Sequence, residues 1–330
     1  MLVTRGTPAV ALPAVALAIG NFDGVHIGHQ AILARVRAEA ARRGLAAALL
    51  TFEPHPREVF EPGTAPTRLT SLREKLEMLS AFGMDRVHVQ RFSPEFAALA
   101  PQAFVENLLV GTLKVRWLLV GSDFRYGAKR AGDVALLQAL GSRHGFEVEK
   151  SPTIESGGAR VSSSAGRAAR SAGDLPAARV LLGRHYRMSG RVAHGDKLGR
   201  TLGFPTANVQ MQHNRPPLAG IFAVLAHGVR ERVSGSFGGA TAGALMSNGD
   251  ASGWPGVASL GVRPTVKANG QPVLEVHLFD FQGDIYGSHL RVEFLHKIRD
   301  EAKYPDLATL TAQIARDCEA ARQYLERGAA

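Results

Sequence analysis

Apolar runs and amphipathic stretches alternate along the first half of the chain. Val15 to Ile19 is continuously apolar and predicts a buried strand. A tight turn, Gly20-Asn21-Phe22-Asp23-Gly24, follows. A helical spacing (Ile32, Leu33, Val36, Ala40) then begins and stops at Gly44, a residue suited to a C-terminal cap. Ala46 to Phe52 reads as a second strand, and Ser71-Leu72-Arg73-Glu74 as a capping box opening a helix that ends near Gly83. Arg86 to Gln90 reads as a strand and Gln102 to Val110 as a helix closing at Gly111. Val115 to Val120, Val134 to Leu140 and Phe146 to Glu149 continue as strand, helix and strand. This alternation predicts an α/β domain with a doubly wound parallel sheet, whose ligands sit at the carboxyl ends of its strands. His26, His55 and Asp123 each follow a predicted strand, so all three can converge on one crevice.

The texture changes around residues 155–185, where Ser156-Gly157-Gly158 and Ser162 to Gly166 are small and polar. Ala168 to Leu182 reads as one or two short helices. Beyond His185 the pattern is β-like: Arg187 to His194, Ile221 to His227, Val273 to Phe281 and Leu290 to Leu295. A helix from Leu307 to Leu325 closes the chain. Gly and Pro separate these pieces, which predicts a small β-barrel with a terminal helix. Arg230 to Pro255 is Gly/Ser-rich and reads as a long hairpin or mobile loop. The expected domains are 1–182 and 183–330, and a length of 330 residues suits two.

Composition narrows the class. Cys318 is the only cysteine, so neither an intrachain disulfide nor a cysteine metal cage can form, which fits a reducing, cytoplasmic setting. Arg5 followed by Ala9 to Ile19 imitates a secretory signal. However, Pro13 interrupts the run and the run leads straight into the turn, so it is read as a strand. No apolar stretch is long enough to span a membrane. The net charge of +10 raises nucleic acid as a partner. It equally suits phosphorylated small molecules, and no basic-aromatic array is present. The expectation is therefore small-molecule chemistry without nucleic acid or membrane, in a monomer or weak homo-oligomer.

Residues His26-Ile27-Gly28-His29 place two imidazoles at the strand-to-helix junction, where unpaired N–H groups and the helix dipole favour phosphate. Thr51 to Pro56 (TFEPHP) stiffens the loop that carries His55; a rigid surface turn fits this segment equally. Gly121 to Gly127 (GSDFRYG) offers Asp123, Arg125 and two aromatic rings, suited to ribose, base or phosphate contact or to a salt-bridged turn. In the second half, Gly195 to Asn208 (GDKLGRTLGFPTAN) has phosphate-loop logic without the common P-loop spacing. Thr206 and Asn208 are hard oxygen donors two residues apart, able to share one Mg²⁺; a Gly-rich turn with an ordinary hydrogen-bonding Asn fits equally. Along Val273 to Phe279, Glu275 and His277 occupy the face opposite Leu274, Val276 and Leu278. Glu275 is the best-placed proton acceptor for phosphoryl transfer.

Taken in order, GNFDGVHIGHQ, TFEPHP and GSDFRYG resemble the adenylyltransferase module of bacterial bifunctional riboflavin kinase/FAD synthetases. GDKLGRTLGFPTAN, VASLGVRPTV, LEVHLFDF and VEFLHKIRDEAKY resemble the riboflavin kinase module of the same family. The resemblance implies Mg²⁺-dependent use of ATP in both modules, with riboflavin, FMN and ATP as the small-molecule partners. His26 and His29 would bind ATP phosphates and stabilise the departing pyrophosphate, and Gly20, Phe22, Asp23, Gly28, Ser162, Ser163 and Arg167 would complete the ATP site. His55, Asp123, Arg125 and Tyr126 would contact flavin or nucleotide. In the kinase module, Gly195, Lys197, Gly199, Arg200, Gly203 and Pro205 would bind ATP, with Thr206 and Asn208 on Mg²⁺. Glu275 would be the base, and Arg263, Thr265 and Arg299 would contact flavin, Arg299 from a flap.

Two departures from the family pattern stand out. Where the family usually reads SSTxIR, this chain has Ser162-Ser163-Ser164-Ala165-Gly166-Arg167. Ser164 keeps the hydroxyl, while Gly166 loses an apolar anchor and loosens the backbone. Where the family often has Asn-Ile-Gly, this chain has Ser259-Leu260-Gly261. The Gly166 departure motivates a second reading, a riboflavin kinase with an impaired adenylyltransferase domain. The basic charge motivates a third, an RNA-binding relative of HIGH-bearing tRNA synthetases, against which the kinase-like barrel motifs argue.

Overall fold

In the computed structural model the described residues are 1–6, 12–151, 155–156, 159–160, 174–195, 198–212, 216–229, 253–262 and 272–328. Ser162, Ser163, Arg167, Lys197, Arg263 and Thr265, and the Gly166 departure, lie outside them. The chain divides into two units, Met1–Ala165 and Gly166–Ala330.

The first unit is built on strands β1 (Leu2–Thr4), β2 (Val15–Ile19), β3 (Ala46–Glu53), β4 (Arg86–Arg91), β5 (Val115–Gly121) and β6 (Glu147–Ser151), with a short hairpin of β7 (Glu155–Ser156) and β8 (Ala159–Arg160). The six-stranded sheet has the order β1-β4-β3-β2-β5-β6 and every pairing is parallel. β2 lies at its centre because both its faces are covered: Val15, Leu17 and Ile19 join one core, Ala16 and Ala18 the other. The first crossover winds outward through β3 and β4, while β5 lies on the opposite flank of β2. The topological switch point therefore falls between β2 and β5, where such sheets bind ligands.

The helix Ile27–Arg43 ends at Gly44, whose φ of 65° is the left-handed cap that the sequence calls for. The stretch expected as an α-helix over Gln102 to Val110 is instead a short turn followed by a π-helix, Phe104–Thr112. Its wider turns keep Phe104, Val105, Leu108 and Leu109 all buried. β1 escaped the sequence reading because three residues carry no period.

In the second unit, β9 (Tyr186–Ala193), β10 (Ala207–Met211), β11 (Gly220–His227), β12 (Trp254–Val262), β13 (Pro272–Leu278) and β14 (His289–Arg299) close an antiparallel barrel in the order β10-β13-β12-β11-β14-β9. Phe222, Leu260, Leu274, Val276, Val292 and Phe294 fill its interior. β12 was not expected because Pro255, Gly256 and Gly261 interrupt its apolar pattern. Gly256 is needed there, since a Cβ would collide with the His277 carbonyl of β13. The terminal helix Leu307–Gly328 lies on the outer wall, where Ile314, Cys318, Ala321 and Leu325 pack on Ala223, Val257 and Phe279. The helix Leu175–Leu182 buries Leu175 and Leu182 in the barrel core. It therefore belongs with the second unit, ahead of the boundary at 182 expected from sequence. Among the described residues no helix is long and apolar enough to cross a membrane.

Candidate active sites

The first site grows from the turn after β2. Phe22, Gly24 and Val25 all have positive φ (49°, 77° and 39°), so the chain coils left-handed into the helix. For Phe22 and Val25 this costs on the order of 1 kcal/mol each. Asp23 holds the coil in place. Its buried carboxylate accepts from the Leu69 backbone N–H (2.9 and 3.1 Å), the Thr70 N–H (3.0 Å) and the Thr70 hydroxyl (3.1 Å). The Thr70 hydroxyl in turn accepts from the Gly24 N–H at 3.1 Å. A Cβ on Gly24 would collide with Leu69.

The coil ends on His26, the helix N-cap, whose Nδ1 accepts from the His29 N–H at 3.2 Å. An accepting Nδ1 leaves the proton of a neutral ring on Nε2, which makes that atom a donor. The His26 and His29 rings stack with centroids 3.6 Å apart and planes 16° from parallel, and Phe22 tilts against His29 at 5.1 Å. Gly28 is buried in the first turn of the helix. Asp23 holds the turn, and Phe22 is a buried ring packed over Gly20 and against His29, so both help to position the histidines.

The loop after β3 is tied to the same anchor. His55 caps the short helix Pro56–Phe60, and Glu58 completes its capping box by accepting from the His55 N–H at 3.1 Å. Arg68, one residue before Leu69, is hydrogen-bonded to Glu58 and to Glu53 (2.9 Å). The Arg68 guanidinium holds the Glu58 carboxyl below the usual carboxylate range. Residues 68–70 thus fasten both the HIGH turn and the TFEPHP loop. The sequence reading missed Arg68 and Thr70 because neither lies in a recognisable motif.

After β5, Asp123 lies against Gly121, and Arg125 pairs at 3.6 Å with Asp133, a carboxylate outside the GSDFRYG segment. Tyr126 is buried. Its ring packs on Phe104, Phe124 and Gly132, and burial pushes its hydroxyl up to about 12.

The second site lies on the outer wall of the barrel under the terminal helix, and strand register assembles it. Asn208 on β10 lies opposite Glu275 on β13, Glu275 opposite Ser259 on β12, Ser259 opposite Ile221 on β11, and Ile221 opposite Arg299 on β14. This row lines a cavity of about 410 Å³, a size suited to a small molecule. Gly199, Thr206, His277, Glu301 and Tyr304 share the lining, and Leu202, Phe204, Val257, Leu310 and Ile314 make it largely apolar.

The phosphate-loop glycines have visible causes. A Cβ on Gly195 would occupy the Asn208 amide, and one on Gly199 would strike the Phe204 carbonyl and approach Thr206 Oγ1 to 3.2 Å. Gly203 has a φ of 87°. The Pro205 carbonyl accepts from His277 Nδ1 at 2.8 Å, pinning the loop to β13. Gly195, Arg200, Gly203 and Pro205 shape this loop without lining the cavity, whereas Gly199, Thr206, Asn208, Glu275 and Arg299 line it.

Arg299 is held by the terminal helix. Its Nε and Nη2 donate to the two oxygens of buried Asp317 at 2.8 and 2.6 Å, and Gln313 donates to the same carboxylate at 2.9 Å. Asp317 keeps the guanidinium above its ordinary pKa. Burial raises the Glu301 carboxyl. Ser259, which the sequence singled out as a departure from the family's Asn, lines the cavity. Sequence reasoning missed Glu301, Tyr304 and Asp317 as wall residues, because only register and helix packing bring them to the cavity.

Comparison with known proteins gives a consistent result. A family model described as FAD synthetase matches residues 10–165, and one described as riboflavin kinase matches 182–325. A bifunctional riboflavin kinase/FMN adenylyltransferase of Escherichia coli K12 is 45% identical over 93% of this chain and 92% of its own. Proteins of the same description from Pseudomonas fluorescens and Haemophilus influenzae are 44% and 42% identical. They cover 92% and 95% of this chain, and 91% and 95% of their own. A solved structure described as a macrolide-efflux protein of Streptococcus pneumoniae has a TM-score of 0.76 at 25% identity, covering 98% of this chain and 99% of that one. That description belongs to that protein; the likeness to it is one of fold.

Proposed function

The chain belongs to the family of bifunctional riboflavin kinase/FMN adenylyltransferases, and on that premise we propose how its two sites divide the chemistry. The enzyme makes flavin cofactors. It phosphorylates riboflavin to FMN and adenylylates FMN to FAD, with ATP as co-substrate.

Phosphorylation takes place in the barrel cavity. The observation that carries this reading is the register row Asn208–Glu275–Ser259 facing a largely apolar slot. The slot accepts a planar flavin ring, and Glu275 accepts the proton of the ribityl 5′-hydroxyl as its oxygen attacks the γ-phosphorus, with ADP leaving. Arg299 closes the slot from β14. Thr206 and Asn208 fit Mg²⁺: both offer hard oxygens at the cavity, and Gly195 and Gly199 leave room beside them. Mg²⁺ bound there would offset the charge of the transferred phosphoryl group.

Adenylylation takes place at the HIGH turn. The stacked His26–His29 pair at a helix N-terminus gives donors and positive potential for the ATP phosphates and for the departing pyrophosphate. The FMN phosphate attacks the α-phosphorus. It is already ionised at neutral pH and needs no strong base, so positioning and electrostatics carry the step. Asp123 and Arg125, after β5, and His55, on the TFEPHP loop after β3, serve as flavin or nucleotide contacts. Ser162, Ser163, Arg167, Lys197, Arg263 and Thr265 keep the roles that the family pattern gives them.

The partners are small molecules without nucleic acid: the net charge of +10 suits phosphorylated substrates, and both matching family models describe flavin enzymes. The setting is the cytoplasm, and the protein is a monomer or weak homo-oligomer. The test is chromatography of flavins after incubating the chain with riboflavin, ATP and Mg²⁺. FMN followed by FAD is expected. FMN alone would remove the adenylyltransferase reading, and no phosphorylated flavin would remove the kinase reading, with a second incubation from FMN then judging adenylylation.

A further inference from the structure

Beneath the HIGH turn lies a charge that the assignments above do not use. Lys75, in the first half of the helix Leu72–Ala81, is only 5% exposed. Its Nζ lies 3.4 Å from Thr51 Oγ1 near the end of β3. The fully buried Thr51 hydroxyl donates onward to the Asn21 carbonyl (3.2 Å), just past the end of β2. The ammonium therefore sits under the carboxyl ends of the two adjacent strands that carry the HIGH and TFEPHP loops.

The groups facing it come from four elements: Asp23 from the turn, Glu53 from β3, Glu58 from the helix Pro56–Phe60, and Arg68. The three carboxylates are engaged elsewhere. Asp23 accepts from Leu69 and Thr70, while Glu53 and Glu58 share Arg68. Among the described residues none of these carboxylates is within ion-pair distance of Nζ. A buried cation with no close counter-ion is costly to maintain, and groups of this kind mark functional sites.

We propose that the Lys75 ammonium is a positioning charge for adenylylation, drawing the ATP phosphates onto the HIGH turn from beneath and offsetting the repulsion of Asp23. The inference rests on the reading of that turn as the adenylylation site. Burial also holds the amine below the ordinary lysine range, so the free enzyme loses this charge earlier on the alkaline side than an exposed lysine would. Bound phosphates favour the charged form.

The test uses the full chain with FMN, ATP and Mg²⁺, varying ATP from neutral pH to about pH 10, for wild type, Lys75→Arg and Lys75→Met. The expected result for Lys75→Met is an ATP KM raised about tenfold with a much smaller change in kcat. Lys75→Arg keeps a near wild-type KM. The alkaline decline of kcat/KM for ATP seen in wild type moves to higher pH in Lys75→Arg and disappears in Lys75→Met. A near wild-type kcat for FAD formation at saturating ATP reports an intact first unit, and unchanged riboflavin phosphorylation an intact second one. An unaltered ATP KM in Lys75→Met, equal losses in both variants, or a wild-type profile without the alkaline decline would overturn the proposal. The underlying site is judged separately: FAD formation that survives His29→Ala would remove the HIGH reading itself.

Discussion

The HIGH turn and the barrel cavity are both assigned to ATP phosphates in the reading proposed above, yet the chain builds them by opposite routes. Gly20 to Gln30 is one contiguous segment, and its local backbone does most of the shaping: a left-handed coil, an N-cap histidine and a helix start. Such a coil is strained, and it is held through Asp23 by Leu69 and Thr70 from outside. The barrel site has little backbone strain of this kind along its row. Asn208, Glu275, Ser259 and Arg299 come from four strands and meet because antiparallel register sets them opposite one another. The first site depends on a few polar anchors, the second on the closure of a whole sheet. Substitutions should therefore separate the activities cleanly at the reacting residues, and separate them by stability at the anchors.

The sharpest break in the comparison is Glu275→Gln. Loss of the proton acceptor is expected to lower FMN formation by about 10²–10⁴-fold while FMN-to-FAD conversion persists. The two rates are measured by flavin chromatography from riboflavin and from FMN. Surviving FMN formation would show that Glu275 is not the base. The mirror experiment is His29→Ala, which removes one ring of the stack and is expected to slow FAD formation by about 10²-fold with riboflavin phosphorylation unchanged. Equal loss of both activities would indicate a folding defect instead.

Asp317→Asn tests whether the cavity depends on the terminal helix. The amide keeps the shape but removes the charge that holds Arg299. A charge-assisted pair of this burial contributes about 2 kcal/mol, so the barrel should unfold at lower temperature. The KM for riboflavin should rise with little change in FAD formation. An unshifted KM with lowered stability would make Asp317 a packing residue only.

What the sequence made legible follows the same division. The HIGH turn, its strand and its helix were readable because apolar period, turn residues and capping glycine all fall within a short window. Glu275 was readable because β13 alternates cleanly. Asp317 and Glu301 were not, because nothing local distinguishes a carboxylate that meets a strand's arginine across the fold from one facing water. Arg68 and Thr70 were missed for the same reason. The burial of Phe22 and Tyr126 was equally illegible, since an aromatic ring beside a motif shows its packing only in the folded chain. The helix Leu175–Leu182 was placed with the wrong unit because its apolar face does not say which core it will join.

The smallest expected effect falls on the anchor of the first site and is the most specific to it. Glu58 is bound by Arg68, which lowers its pKa from the ordinary 4.5. A carboxyl depressed on folding stabilises the folded state fully above its unfolded pKa, and that contribution fades as pH falls through the folded value. The pair is partly exposed, and Arg68 keeps Glu53, so the contribution is about 1 kcal/mol at most. Glu58→Gln should therefore lower the thermal midpoint of the first unit slightly at neutral pH, and the gap from wild type should close as pH is taken well below 4.5. Riboflavin phosphorylation should not respond, since the barrel site has its own carboxylate–arginine anchor, Asp317 on Arg299, and takes nothing from Glu58. A gap that persists in acid would mean that Glu58 acts through packing or its capping hydrogen bond, and that charge is not what fastens the TFEPHP loop to the HIGH turn.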